Sequence, residues 1–144
     1  MTCVVCGESL VNKYPQARYC SSNCKYKANR NLESIAAYTD SIKGRAKTLW
    51  HNSRARTTNH TITEDWIASV LNLGVCQVTG IPFEWSSGKG RQPFSPSLDQ
   101  ICPGKGYTPE NTRIVIWMYN AAKNVFTDAD VLKMAYALVK INAE

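Results

Sequence analysis

The chain has 144 residues, of which 44% are apolar and 19% are charged, a composition typical of a soluble globular protein. No apolar run approaches the roughly 20 residues needed to cross a bilayer. The N-terminal segment "MTCVVCGESL" lacks the basic and apolar regions of a secretory signal. We therefore expect a cytoplasmic protein with no membrane partner, built as one compact domain with a small appendage.

The net charge of +6 is unevenly distributed along the chain. Residues 1–60 carry ten Lys and Arg and three acids, which gives +7, whereas residues 61–144 carry seven and eight, which gives −1. This asymmetry favours a polyanion-binding module joined to a nearly neutral body. A solvated basic helix would give the same charge, and charge alone leaves both interpretations open.

Four cysteines near the N-terminus form two close pairs, Cys3 with Cys6 and Cys20 with Cys24. Two such pairs match the tetrahedral thiolate coordination of Zn²⁺. Four buried thiols without a metal are disfavoured because the pairs lie in a polar segment. The ending "YCSSNCKYKANR" resembles a treble-clef-like zinc knuckle of the "YCSxxC" type that leads into a basic helix. We expect residues 1–30 to form this knuckle around a structural zinc ion.

A basic helical connector is expected over residues 31–60, because helical spacing begins at about Ser22 and apolar residues recur at intervals of three and four. Gly44 predicts a bend. Phosphate contacts from such a helix would tolerate many sequences and would weaken with salt. The basic residues spread over its surface are Lys43, Arg45, Lys47, Arg54 and Arg56.

Residues 61–144 are predicted to form the body of the protein. Thr61 and Glu64 suggest a capping box that starts a helix ending at Gly74. The elements expected after it are a turn or short strand at 75–85, a loop at 86–93, a strand at 95–101, a loop at 102–111, a strand at 112–117, a helix start at 118–126, and a helix at 127–141. We expect the last helix, capped by Thr127, to close the core with one apolar face.

The segment 76–124 resembles an HNH endonuclease of the ββα-metal class, and more narrowly its phage-type branch. The shared pattern is C-x-x-T-G-I-P-F, P-S-x-D-x-I, K-G-Y-T-x-x-N-x-R-x-V-x-W and N-x-x-K, in that order. It covers about a third of the chain. The resemblance implies an α+β fold with a small ββα-metal (HNH-like) core packed by helices, preceded by the four-cysteine knuckle and the basic helix.

The resemblance also implies roles for individual residues. Asp99 and Asn120 would hold a catalytic Mg²⁺ or Mn²⁺ ion, for which oxygen ligands are suitable. Asn111 would hold the loop, and Lys123 would pair with a phosphate. The residues expected to contact DNA are Lys25, Lys27, Arg30, Lys43, Arg45, Lys47, Arg54, Arg56, Lys105 and Lys123.

Gln100 departs from the pattern of many HNH nucleases, which have a catalytic histidine directly after the aspartate. An amide has no usable pKa and cannot act as a general base, so Gln100 could only orient a water. The alternatives for the base are His60, His51, Tyr107, or water activated by the metal alone. His60 ranks first because it lies in a polar break that could approach the site. An exposed linker histidine is the competing interpretation.

Three functions follow from these features. The first is a phage-encoded, metal-dependent DNA endonuclease in the host cytoplasm, for which cutting both strands requires a homodimer or two sequential events. The second is a non-catalytic zinc-containing DNA-binding protein that retains an HNH-like scaffold, which Gln100 favours. The third, a protein-binding zinc module, is disfavoured by the positive charge of residues 1–60.

Overall fold

The computed structural model describes residues 1–84 and 92–143. The chain divides into two compact units, Met1–Ile35 and Ala36–Glu144. The connector expected at 31–60 is therefore not a separate part, because most of it belongs to the second unit. Most of the loop expected at 86–93 lies outside the described residues. None of the described helices combines the length and the apolar character that a bilayer-spanning segment requires.

The first unit is built around the N-terminal cysteines and one short helix. Helix α1 spans Ser22–Asn29, and the Ser21 side chain caps it by accepting a hydrogen bond from the Cys24 amide. Besides two of the cysteines, only Leu10 and Ala17 form its buried apolar cluster. So small an apolar core cannot stabilise a unit of this size alone.

Two helices, α2 (Leu32–Asp40) and α3 (Ile42–Arg54), follow where one bent helix was predicted. The break falls at Ser41, whose side chain caps α3 by accepting a hydrogen bond from the Gly44 amide. The position predicted from Gly44 was therefore wrong by one turn. Gly44 is instead needed because a Cβ atom there would overlap the carbonyl oxygen of Tyr38.

Helix α4 spans Glu64–Leu71 and packs against α3. Its cap is Thr63, whose hydroxyl accepts a hydrogen bond from the Trp66 amide, so the predicted cap at Thr61 was wrong. The Thr61 amide instead donates to the carbonyl of Tyr107, which fixes that segment in an extended form. The main core lies between these helices and the sheet and consists of Ala46, Ile62, Ile67, Leu71, Leu98, Tyr107 and Ile114.

A two-stranded antiparallel sheet and a short helix form the predicted strand, loop, strand, helix order. Strand β1 spans Pro96–Gln100, strand β2 spans Thr112–Ile116, and helix α5 spans Trp117–Lys123. The register places Asp99 opposite Arg113. The α+β class is thus confirmed, and an HNH-specific core remains a prediction.

The last helix, α6, spans Asp128–Asn142 and begins with the predicted cap. Thr127 and Asp130 form a reciprocal capping box. The predicted packing was wrong, because no residue described in α6 is buried and Leu138 and Ile141 are 56% and 73% exposed. Apolar spacing identifies a face that could be covered, but it does not identify what covers it.

Candidate metal centre and groove

The four N-terminal cysteines converge on one point. Their Sγ atoms all lie within 4.8 Å of one another, and the distances are 3.4 Å from Cys6 to Cys20, 3.5 Å from Cys20 to Cys24, and 3.7 Å from Cys24 to Cys6. Zn–S bonds of about 2.3 Å in a tetrahedron require sulfur atoms about 3.8 Å apart. The four cysteines can therefore hold a metal ion such as zinc.

Electrostatics agree with a cation at this cluster. Hydrogen bonding of the Cys20 thiol to the Cys6 and Cys24 sulfur atoms favours the protonated form and raises the pKa of Cys20 to about 12. Thiolates crowded this closely repel one another, so they cannot all be charged without a positive ion between them. The cluster lies in the unit that has the smaller apolar core of the two. Metal binding would therefore supply a large part of the folding free energy of this unit.

A groove of about 880 Å³ crosses the second unit between α3, β1 and the end of α5. Most of the described side chains that line it are polar. Arg45, which is paired with Asp40, and Arg56 line it from α3 and the residues after it. Asp99, Gln100 and Asn120 line it from β1 and α5. The structure therefore brings three of the five predicted catalytic residues to one surface with two of the predicted DNA contacts.

Asp99 is 2% exposed, and both of its carboxylate oxygens are already hydrogen-bonded. The Lys123 ammonium donates to Oδ1 at 3.0 Å, and the Arg113 guanidinium donates to Oδ2 at 2.8 Å. Lys123 is itself fully buried and also donates to the carbonyl of Gln100 at 2.7 Å. In this conformation Lys123 cannot contact a phosphate, contrary to the role expected from the sequence.

Asn120 is fixed to β1 by its amide nitrogen, which donates to the Ser97 hydroxyl and to the Leu98 carbonyl, both at 2.8 Å. Its side-chain Oδ1 accepts no hydrogen bond from the residues that the structure describes. Asp99 retains a second lone pair on each oxygen, since a carboxylate offers about four acceptor positions. Carboxylate and amide oxygens are the donor types that a hard divalent ion prefers. The positive charges of Lys123 and Arg113 on Asp99 nevertheless oppose the binding of a further cation there.

Gln100 and Asn111 both stabilise the loop between the strands. The Gln100 side-chain oxygen accepts hydrogen bonds from the amides of Gly104 and Gly106, at 2.8 and 3.3 Å. Asn111 bonds to both backbone groups of Cys102 and donates to the Gly106 carbonyl. The Gln100 side chain therefore holds the loop through its backbone amides.

His60 does not line the groove within the described part of the chain. Its Nε2 lies 2.8 Å from the hydroxyl of Ser53, and its ring contacts Trp50 and Tyr107 at 5.8 and 5.9 Å between centroids. Burial lowers the pKa of His60 below its ordinary value. The ring thus anchors residues 57–62 to the core, and the structure does not bring it together with Asp99.

The other predicted DNA contacts lie outside the groove lining that the structure describes. The exposed members are Lys25, Lys27, Arg30, Lys43, Lys47, Arg54 and Lys105. The Arg54 guanidinium lies 4.8 Å from the centre of the Trp50 ring, and Arg45 is paired with Asp40 at 2.7 Å. Lys25 and Lys27 belong to α1 in the first unit, and Lys43, Lys47 and Arg54 belong to α3 in the second unit.

An ion-pair network behind the sheet was not predicted from the sequence. Arg113 connects Asp99 on β1 to Asp128 at the start of α6, donating to Asp128 Oδ2 at 2.9 Å. Arg113 lowers the pKa of Asp128 to about 2. Burial, together with the hydrogen bond from its hydroxyl to Asp128, raises the pKa of Tyr119 to about 12. The sequence analysis gave no signal for this network, because the register that sets Asp99 opposite Arg113 is visible only in the structure.

Comparison of the chain with protein-family models, with curated proteins and with solved structures finds no match in any of the three. The resemblance to HNH endonucleases therefore depends on the residue pattern alone.

Proposed function

We propose that this chain is a zinc-containing DNA-binding protein that cuts phosphodiester bonds as an HNH-type, metal-dependent endonuclease. The observation that carries this proposal is the common groove, which Asp99 and Asn120 line together with Arg45 and Arg56. Guanidinium groups bind phosphate oxygens in a planar, bidentate geometry. A DNA strand in the groove would therefore lie with a phosphate near the two oxygen donors.

Some residues of the groove would bind DNA, and others would fix the side chains that bind the metal. Arg45 and Arg56 would hold the DNA backbone, and the exposed cations of α3 would extend the contact without reading sequence. Lys123 and Arg113 fix the rotamer of Asp99, and Ser97 fixes that of Asn120. Mg²⁺ or Mn²⁺ held by Asp99 and Asn120 would supply Lewis-acid stabilisation of charge on the phosphate. The zinc ion at the cysteine cluster would have a structural role only.

A second candidate is a DNA-binding protein without catalytic activity. The pairing of Asp99 with two cations favours it, because their charge already neutralises the carboxylate that would attract a divalent ion. The engagement of Gln100 by loop amides favours it too, since no described histidine lines the groove. The two candidates share the DNA contact and differ only in cleavage.

Nicking of supercoiled plasmid by the zinc-loaded protein separates the two candidates. We expect nicking with Mg²⁺ or Mn²⁺, none with EDTA, and loss in Asn120→Ala, because that change removes the oxygen donor. Asn72→Ala, at the exposed C-terminal cap of α4, is the matched control and should nick normally. Thermal unfolding of both variants would verify that they fold. Salt-sensitive DNA binding without nicking under any metal would overturn the endonuclease and support the second candidate.

A further inference from the structure

Arg113 joins two carboxylates but bonds them unequally. Its two terminal nitrogens donate to the two oxygens of Asp128, with Nη1 at 2.9 Å from Oδ2, whereas only its Nε donates to Asp99, at 2.8 Å. A guanidinium group often meets a carboxylate through two parallel hydrogen bonds, which are strong and directional. Asp128 therefore receives the paired donors of Arg113, and Asp99 receives a single one.

Tyr119 stabilises the pair that Asp128 forms with Arg113. Its hydroxyl donates to Asp128 Oδ1 at 2.6 Å, and its ring centre lies 5.6 Å from the central guanidinium carbon of Arg113. Both partners of the pair are thus held from a second direction. The arrangement fixes which nitrogens of Arg113 remain for Asp99.

The charges around Asp99 balance only when Asp128 is included. Lys123 and Arg113 together carry two positive charges against the single negative charge of Asp99, and the excess opposes a further cation. Asp128 supplies a second negative charge at the other end of the Arg113 guanidinium, which brings the four side chains to neutrality. Within the described part of the chain Asp128 does not line the groove, so it influences the site through Arg113.

We propose that Asp128 is a positioning residue for the metal site, which keeps the terminal nitrogens of Arg113 away from Asp99 and offsets their charge. This role rests on the proposed function, because it requires a divalent ion at Asp99 and Asn120. Without the Asp128 carboxylate, the terminal nitrogens of Arg113 would turn to Asp99 and occupy the acceptor positions that the ion needs. The first residue of α6 thereby sets the affinity of a site that it does not contact.

Titration of the full zinc-loaded chain with Mn²⁺, followed by the electron paramagnetic resonance signal of the free ion, tests this role without requiring cleavage. We expect Asp128→Asn to weaken Mn²⁺ binding by roughly fivefold to tenfold, as one partly exposed charge does near a divalent ion. Asp130→Asn is the matched control. It removes a charge from the same helical turn, but Asp130 bonds Thr127 and not Arg113, so the affinity should stay at the wild-type value.

Two further variants separate an effect on the site from an effect on stability. Asp128→Glu retains a carboxylate that can pair with Arg113 and should restore most of the affinity. In an Arg113→Met background, Asp128→Asn should change Mn²⁺ affinity much less than in the wild type, because the residue through which it acts is absent. Urea unfolding of each variant identifies the conditions in which it is folded during the titration.

Four results would overturn the proposal. Equal Mn²⁺ affinity in the wild type and Asp128→Asn would remove the role of Asp128 and leave the endonuclease unaffected. Equal weakening by Asp128→Asn and Asp130→Asn would show a general effect of charge, and equal weakening by Asp128→Asn and Asp128→Glu would show that the carboxylate is not what matters. Wild-type protein that binds no Mn²⁺ would remove the metal site itself, and this role with it.

Discussion

Removing one charge of the buried ion pair between Lys123 and Asp99 should lower the free energy of unfolding of the second unit. Lys123→Met keeps a similar volume but removes the ammonium, which leaves Asp99 at 2% exposure with Arg113 as its one remaining cationic partner. Breaking a buried pair in this way costs 3–5 kcal/mol. Because Arg113 still donates to the carboxylate, we expect the lower end of the range, a loss of about 3 kcal/mol.

The second unit can be followed by itself in this experiment. All four tryptophans lie after residue 35, so tryptophan fluorescence during urea unfolding reports on the second unit and not on the cysteine cluster. With a urea dependence of about 2 kcal/mol per molar, the unfolding midpoint should fall by about 1.5 M. Lys133→Met on the exposed surface of α6 is the matched control, and it should change the free energy of unfolding by less than about 0.5 kcal/mol.

A double variant tests whether the Lys123 and Asp99 side chains interact. Asp99→Asn in the Lys123→Met background removes both charges of the pair, so its cost should be clearly less than the sum of the two single changes. Equal midpoints for Lys123→Met and Lys133→Met would refute the buried pair. Strict additivity in the double variant would show that the two side chains do not interact.

The remaining predictions concern the metal cluster, pH and one close contact. A metal assay should find about one zinc ion per chain. Removing the zinc should unfold the first unit and leave tryptophan fluorescence unchanged, because metal binding supplies on the order of 10 kcal/mol to folding. A first unit that stays folded without metal would contradict this prediction. The lowered pKa of His60 means that the unfolded state binds more protons below the ordinary His pKa of about 6.5, so the second unit should lose stability as pH falls below that value. His60→Gln should flatten this dependence in urea midpoints measured from pH 7.5 to about 5, and an unchanged slope would contradict the prediction. Gly44→Ala should destabilise the second unit despite its better helix propensity, because its Cβ would overlap the Tyr38 carbonyl, and a higher thermal midpoint would refute the contact.

The local elements were predictable where a single physical signal dominated. Strand β2 followed from β-branched residues bounded by a turn, and the four-cysteine cluster followed from ligand spacing. The cap of α4 was misplaced because Thr61 and Thr63 are both competent caps, and a long-range hydrogen bond to Tyr107 decides between them.

Long-range contacts explain the remaining differences. Lys123 looked like a surface cation because a basic residue near a helix end is usually exposed, and only its position beneath Asp99 buries it. His60 looked like a candidate base because it lies in a polar segment, and only its contact with Ser53 reveals an anchoring role. Apolar spacing in α6 predicted a face that closes the core, and this was wrong because spacing cannot reveal whether the body of the protein covers that face.

Binding of Mn²⁺ to the zinc-loaded protein tests the central claim most directly, because it does not require turnover. We expect the electron paramagnetic resonance signal of free Mn²⁺ to fall as one ion binds per chain, and we expect Asn120→Ala to abolish that binding while Asn72→Ala retains it. Wild-type protein that leaves the Mn²⁺ signal unchanged would show that Lys123 and Arg113 already satisfy Asp99, and it would contradict the metal-dependent endonuclease.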